Sequence, residues 1–443
     1  MKRKPPINLP LAAIVGEGLL SRLSFGVIGF TLPLYAYHMG LSLTQIGILT
    51  SLNSIAALAL KPLIGWAADR FGLKRTFLVA ICLRSLVSLL LGFAAVPWEL
   101  YAIRTLHGLS MSMRDPSANA LIAENGGEKS VASAFAWYQT ARTVASSVSK
   151  ALAGILLTLT ATNFSLTFFV AFALSALPLL VVLFFVKEPA TEKGLSACPP
   201  TTLIVMPRQE GAMPSTPEVQ KRPSLMPFIG FGFLVSSTAE MLSGLFPILA
   251  TEYAGLSKGQ AGMIYALSVV VTVFSGPIFG WLSDHVSRKL VLAVRSFANT
   301  FSSLMYVALP TFIGIGAAKT VDDMGKAAFR PAWGALMAQV SGYDRKTRAR
   351  TMSLLSMGED AGGVCAPILA GFLWSTWGIG VLMGARVVLA IVTEGYAFTV
   401  ARSPGAGRSR LAQRSKLHPG PNPMEGIRLS STQDGKVLQM RSG

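Results

Sequence analysis

The sequence predicts an all-α polytopic membrane protein, with twelve transmembrane helices in two pseudo-symmetric six-helix bundles. Three observations predict it. Apolar residues gather into many runs of roughly twenty, each long enough to cross ~30 Å of hydrocarbon. Basic residues crowd onto alternate connections between those runs. A charged turn at 65–75 returns at 280–289, with Gly65 and Gly280, and likewise Asp69 and Asp284, 215 positions apart in a chain of 443.

Composition sets the class. Hydrophobic residues make up 51% and charged residues only 14%, where a soluble domain carries about 25% charged. The net charge of +18 would suggest nucleic acid in a soluble protein, but its placement argues against that. Of 39 Lys and Arg, 26 fall in the N-terminus, alternate short loops and their edge at Arg350, the central linker and the tail, and only Lys258 falls in a loop of the opposite side. This is the positive-inside pattern and predicts cytoplasmic termini. Cys82, Cys198 and Cys365 are widely spaced and match no metal or disulfide framework.

Twelve spans are read at 11–37, 44–65, 77–96, 99–122, 131–159, 163–186, 227–250, 259–281, 290–312, 315–339, 350–374 and 378–400. Run length favours helices, because barrel strands show only ~10-residue alternating segments. Met1-Lys2-Arg3-Lys4 precedes an apolar run as in a signal peptide. That run extends to about Tyr37, holds Glu17 and Arg22, and meets no small-residue cleavage site, so it is read as the first span. The organisation expected is a cytoplasmic N-terminus (1–10), a first bundle (11–186), a linker (187–226), a second bundle (227–400) and a tail (401–443). The linker is rich in Pro and polar residues, as a mobile connector would be. The tail is basic and rich in Gly, Pro and Ser, and reads as disordered.

The repeat extends beyond the charged turn. Residues 41–47 (LSLTQIG) match 256–262 (LSKGQAG), and 116–123 match 331–338, all 215 apart. Ala153-Gly154 matches Ala370-Gly371 at 217. Six spans therefore map onto six. Two halves related by an axis along the membrane normal, with a cleft between them, suit alternating access.

On these residues the chain resembles the major facilitator superfamily over about 11–400. That family's loop pattern G-x-x-x-D-[RK]-x-G-x-[RK]-[RK] is met by Gly65, Asp69, Arg70, Gly72, Lys74 and Arg75. The second copy keeps Gly280, Asp284, Arg288 and Lys289 but has Val286-Ser287 at the inner glycine. The fourth-helix pattern is approximated by Arg104, His107, Gly108 and Ser110. The resemblance implies that Asp69 contacts a helix of the other half and latches one conformation. Arg70, Lys74 and Arg75 are placed to pair with Glu124 or to fix topology, and Asp284 and Arg288 form the weaker latch. The fifth helix departs from exporters of this family, which often carry G-P-x-x-G-G there. Residues 148–154 read VSKALAG, with Lys150 where the proline would align.

Ionisable groups inside spans are functional candidates by default. Glu17, Asp115, Glu240, Glu359 and Asp360 are candidates for proton coupling, because burial and a nearby arginine push a carboxyl's proton affinity in opposite directions. Arg22, Arg104, Arg114, Arg142 and Arg330 are candidates for holding a solute anion, or they neutralise those acids. The tenth span carries Lys319, Asp322, Asp323, Lys326 and Arg330. At roughly 2.5–3.5 kcal/mol per mid-span charge, on the order of 12–17 kcal/mol would oppose its exposure to lipid. It must face helices and water, with Lys319–Asp323 and Asp322–Lys326 as i,i+4 pairs. Arg84 and Arg295, near one membrane face, are expected to snorkel outward.

No phosphate-binding loop, nucleophile constellation or metal cluster appears, so neither an enzyme nor a cofactor is expected. The function expected is secondary active transport of a small organic solute across a bacterial inner membrane. Transport would be proton-coupled and monomeric, with no nucleic-acid partner and a lean toward efflux of amphipathic compounds. The alternatives are uptake of an anionic metabolite, or a non-transporting sensor or assembly partner on the same fold.

Overall fold

A computed structural model describes residues 9–71, 73–125, 131–185, 225–285, 288–341 and 348–402. The linker and tail lie almost wholly outside them. The first bundle consists of α1 (Leu9–His38), α2 (Leu43–Phe71), α3 (Leu73–Phe93), α4 (Pro97–Asn125), α5 (Val131–Leu159) and α6 (Phe164–Phe185). The second begins with α7 (Met226–Glu240), which resumes after a break as a short α-turn, Phe246–Ile248, and a π-turn, Leu249–Tyr253. It continues with α8 (Lys258–His285), α9 (Arg288–Ala308) and α10 (Phe312–Ser341). Residues Arg348–Arg402 form one helical stretch divided at Gly378, where φ is 83°; its two parts are α11 (348–377) and α12 (379–402).

The α1–α2 corner shows how local sequence sets these boundaries. Gly40 adopts φ 84°, and the Leu41 amide reaches back to the Ala36 carbonyl at 3.1 Å. A glycine in the left-handed region with this back-bond closes a helix. Ser42 then opens α2. Its amide donates to Gln45 Oε1 (2.8 Å), and the Gln45 amide donates to Ser42 Oγ (3.3 Å). This reciprocal capping box satisfies two donors that a helix start leaves unpaired. The device recurs in the second half. Gly255 has φ 66°, the Ser257 amide donates to Gln260 Oε1 (2.9 Å), and the Gln260 amide donates to Ser257 Oγ (3.2 Å). The repeated LSxxQxG segment is thus a helix-corner module used twice.

Most boundaries shift by up to about four residues, and three differences from the sequence reading have a local cause. The second helix was expected to stop at 65. It runs to Phe71, because Trp66-Ala67-Ala68 carries no breaker. The seventh helix was expected to be continuous over 227–250, but it breaks at 241–245. Pro247 cannot donate to the Ser243 carbonyl and its ring crowds that turn. Between the last two helices a loop was expected over 375–377, where the chain bends only at Gly378.

Within the first half, α1 lies against α5 and α6, α2 against α4, and α3 against α4 and α6. In the second, α7 lies against α11, α8 against α10, and α9 against α10 and α12. Large apolar side chains such as Val79, Leu86, Phe274, Phe297, Val388 and Ile391 point outward, while Arg84, Arg104, Arg114, Arg295 and Arg386 are buried. That is the inside-out arrangement a bilayer demands. Among the described residues five helical segments are long and apolar enough to cross a membrane. α4 and α10 fall short of that measure through the charges they turn inward.

Candidate functional site

The halves meet along two seams. In the first, α2 meets α11: a Cβ placed on Gly47 would lie 2.3 Å from the Pro367 carbonyl oxygen, and one on Gly371 would lie 2.3 Å from that of Leu43. Ser51 Oγ donates to the Val364 carbonyl (2.8 Å), and Thr44 Oγ1 and Ser375 Oγ are 2.7 Å apart. In the second, α5 meets α8: a Cβ on Gly154 would lie 2.5 Å from the Lys258 carbonyl oxygen, and one on Gly262 would lie 2.8 Å from that of Ala151. Lys258 Nζ donates to Thr162 Oγ1 (2.8 Å). These contacts are symmetry copies, since Gly47 and Gly262 are 215 apart and Gly154 and Gly371 are 217 apart. Small residues let helix backbones touch. Both seams lie at the ends of the helices opposite the chain termini, so the two halves are closed on that side.

Above the seams, at mid-span, a cavity of ≈ 900 Å³ separates the halves. The first half supplies Arg22 of α1 and Arg142, Ser146, Ser147 and Lys150 of α5. The second half supplies Glu240 of α7, Phe246, Tyr265 of α8, Tyr306 of α9, and Lys319, Asp322, Asp323 and Lys326 of α10. Phe246, Tyr265 and Tyr306 form an edge-to-face aromatic cluster, with centroids 5.2 and 6.0 Å apart. Arg22 and Arg84 both place their guanidinium over Phe25, at 5.0 and 4.9 Å, and His107 meets the same ring at 4.7 Å.

The charges beyond this wall are tied down. Arg114 of α4 grips Glu17 of α1 in a bidentate pair, Nε to Oε1 at 3.0 Å and Nη2 to Oε2 at 2.8 Å, with Glu17 wholly buried. Two parallel charged hydrogen bonds fix geometry as well as charge. Arg104 spends its donors on α2: the Leu49 carbonyl at 3.2 Å, the Thr50 carbonyl at 3.0 Å and Asn53 Oδ1 at 2.5 Å, with His107 Nδ1 at 3.1 Å. These arginines clamp α4 to its neighbours and do not line the cavity.

In the second half Asp322 is a hub. Its Oδ1 accepts from Arg386 Nη2 of α12 (2.6 Å) and Arg295 Nη1 of α9 (3.3 Å), and its Oδ2 pairs with Lys326 Nζ (2.8 Å). Arg386 also donates to Ser303 Oγ (3.1 Å) and the Thr238 carbonyl (3.2 Å). Three helices are stitched through one carboxylate, and Arg386 ties in α7 as the fourth. Lys319 and Asp323 pair beside it. Both i,i+4 pairs expected in α10 are therefore formed. Arg295 does not snorkel as expected: it is 4% exposed and turned inward to Asp322.

Of the residues put forward from sequence for proton coupling or for holding a solute anion, the cavity gathers Arg22, Arg142 and Glu240, and beside them the charged residues of the tenth span from Lys319 to Lys326. Among the described residues Glu240 makes neither an ion pair nor a side-chain hydrogen bond. Glu359 and Asp360 are half-buried on α11, where the Glu359 Cγ would lie 3.4 Å from a Cβ on Gly232 of α7. Arg75 is exposed at the start of α3. The side chains of Gly65, Asp69, Arg70, Gly72, Lys74, Asp115, Glu124, Asp284, Arg288 and Arg330 lie outside the described residues. Sequence reasoning missed the Asp322 hub and the seam glycines. The hub had no local signal, because its partners lie 27 and 64 positions away. The glycines were visible in the repeat, but only as matched positions.

Comparison with known proteins accords with this architecture. The sequence model of the Major Facilitator Superfamily matches residues 18–318 and 228–429. A curated relative, multidrug resistance protein MdtG of Rahnella sp. (strain Y9602), is 24% identical over 397 residues, covering 86% of this chain and 90% of its own. The probable sulfoacetate transporter SauU of Cupriavidus necator is 24% identical over 301 residues, 64% of this chain and 68% of its own. Among solved structures, a bacterial homolog of the human lysosomal transporter Spinster, inward-facing and occupied, aligns with a TM-score of 0.70 at 16% identity over 90% of this chain and 98% of its own. The nucleoside transporter NupG aligns at 0.67 and 15%, over 88% and 99%. Two six-helix halves, seamed at one end around a charged central cavity, and a family match across the length of both halves lead to one conclusion: this chain belongs to the Major Facilitator Superfamily of membrane transporters.

Proposed function

We propose that the chain is a secondary active transporter of the bacterial inner membrane, moving a small organic solute by alternating access in exchange for protons. The observation that carries this reading is the cavity itself. It lies at mid-span between two halves, closed on one side by paired glycine seams, and is lined by one carboxylate, Glu240, that makes no ion pair among the described residues. With the termini in the cytoplasm, as the basic loops favour, the seams close the outer side and the cavity loads from within. The names of the MdtG relatives support export. Asp69 acts as the latch of the opposite, cytoplasmic face, and Glu240 is the proton carrier.

The test is a solute screen in proteoliposomes with an imposed pH gradient and a lumenal pH dye. Solute-dependent proton movement is expected. If no solute moves protons and none exchanges across the membrane, the sensor or assembly reading replaces this one.

A further inference from the structure

We propose that the cavity holds the anionic head of its solute between the ammonium groups of Lys150 and Lys319, with the Tyr306 hydroxyl as a third donor. The cargo would then be an organic carboxylate or sulfonate with an apolar or aromatic body. This names the solute class for the transporter reading above and rests on it.

Lys150 is the anchor. Its ammonium lies 4.8 Å from the centroid of the Tyr265 ring, across the cavity on the other half, and that of Lys319 lies 5.5 Å from the same centroid. Lys319 is partly neutralised by Asp323. Lys150 makes no ion pair among the described residues, and the carboxylates Asp323 and Glu240 line the same cavity without pairing to it. Contact with an aromatic face offsets only part of the cost of taking an ammonium out of water. Two cations around one ring also repel each other, and more strongly where the dielectric is low. A bound anion relieves both terms together.

Snorkelling does not account for Lys150. It lies nine residues before the end of α5 at Leu159, about 14 Å along the axis. The stretch between is the seam where Ala151 and Gly154 abut α8. Lys150 is also the residue that stands where many exporters of the family carry a proline in this helix, so the departure noted in the sequence places a charge in the cavity wall.

Two further features fit an anion with an apolar body. Tyr306 lines the cavity, and its hydroxyl is buried without a hydrogen-bond partner among the described residues; buried hydroxyls are rarely left so, and this one can donate to an oxyanion. The lining also counts five cationic side chains, Arg22, Arg142, Lys150, Lys319 and Lys326, against the acids Glu240, Asp322 and Asp323. Asp322 is already shared with Arg386 and Arg295 from outside the cavity. The cavity is therefore cationic, and Phe246, Tyr265, Leu242 and Val273 give it an apolar floor.

The experiment is calorimetric titration of the purified full-length protein in detergent with benzoate and benzenesulfonate, against benzamide and benzylammonium as the neutral and cationic isosteres. The anions are expected to bind at least about tenfold more tightly than benzamide, the margin of one charge-assisted contact. Lys150→Gln should weaken benzoate by about tenfold or more while leaving thermal stability unchanged or higher, Lys150→Arg should retain most of the affinity, and Tyr306→Phe should cost several-fold. Equal affinity for benzamide and benzoate, an unchanged benzoate Kd in Lys150→Gln, or no anion binding to the folded wild type would each overturn the proposal. Should Lys150→Gln not fold, the isostere comparison and Tyr306→Phe decide. Anion binding without any transport of the same compounds in liposomes would overturn the transporter reading and leave the subsite. Transport of neutral or cationic solutes with no anion binding would do the reverse.

Discussion

Adding one methyl group at Gly371 isolates the seam. Its Cβ would sit 2.3 Å from the Leu43 carbonyl oxygen and 2.9 Å from the carbonyl carbon, where ordinary contact begins near 3.4 Å. The clash is with backbone, so no side chain can swing away, and α2 and α11 must part by roughly 1 Å. Overpacking of this kind costs about 1–3 kcal/mol. The penalty applies only while the seam is closed. The gain in helix propensity from Gly to Ala, up to about 1 kcal/mol, applies in both conformations and cancels from the equilibrium between them. A net ~2 kcal/mol moves that equilibrium about thirtyfold away from the seamed state. Thr44→Cys and Ser375→Cys, whose hydroxyls face each other at 2.7 Å, report it in a background with Cys82, Cys198 and Cys365 replaced. Disulfide formation should slow by about an order of magnitude in Gly371→Ala, and alkylation of the two thiols from the seam side should quicken. Gly384→Ala, whose Cβ meets nothing within 4 Å, should change neither. An unaltered cross-linking rate in Gly371→Ala would refute the reasoning that backbone contact at the glycines holds the seam.

Four other outcomes follow from the same geometry. Glu240→Gln should abolish solute accumulation driven by a pH gradient yet spare solute exchange; retained accumulation in a liposome assay would remove Glu240 as proton carrier. Asp322→Asn leaves Arg386, Arg295 and Lys326 without their shared anion and should cost about 3–5 kcal/mol, read as a lower unfolding midpoint in detergent than Asp323→Asn gives. Glu17→Gln should be similarly costly, and adding Arg114→Met should recover part of the loss, since the arginine left uncompensated by Glu17→Gln is then removed; a double variant worse than either single would argue against this pair as the source of the cost. Asp69→Asn should cut turnover while the protein remains inserted and folded, and unchanged turnover would remove the latch.

What was legible in the sequence follows the range of the interaction. The apolar runs gave helix number and order, because a span is a property of twenty consecutive residues. The α10 pairs Lys319–Asp323 and Asp322–Lys326 were legible because they lie one turn apart on one helix. Arg386–Asp322 and Arg114–Glu17 were not, because each depends on which helices face each other, 64 and 97 positions apart. The break in α7 had a sequence signal: Pro247 sits inside the apolar run and forbids the bond to Ser243. A proline alone does not decide a break, since Pro33 and Pro178 sit inside unbroken helices of the same chain. The difference is tertiary, since Gly244 beside the break packs onto Thr50 of α2, with a Cβ there 2.9 Å from the threonine methyl.

The two halves are alike along the seams and unlike in the cavity. The repeat preserves the corner modules at 41–47 and 256–262 and the glycines at 47, 154, 262 and 371, which make both seams. At the same offset of 215, Arg104, His107 and Met111 of α4 correspond to Lys319, Asp322 and Lys326 of α10. Arg104 and His107 are spent on α2 and on each other, whereas their counterparts line the cavity. Likewise Lys150 corresponds at 217 to Pro367, whose carbonyl abuts Gly47. A duplicated scaffold needs matched hinges to rock about one axis, so substitutions at the seam act on both halves' motion. A solute with a single charged end needs an asymmetric site, and divergence between the copies supplies it. Exchanging the cavity residues should therefore alter which solute is taken while leaving the closure equilibrium, read by the Thr44–Ser375 cross-link, where it was.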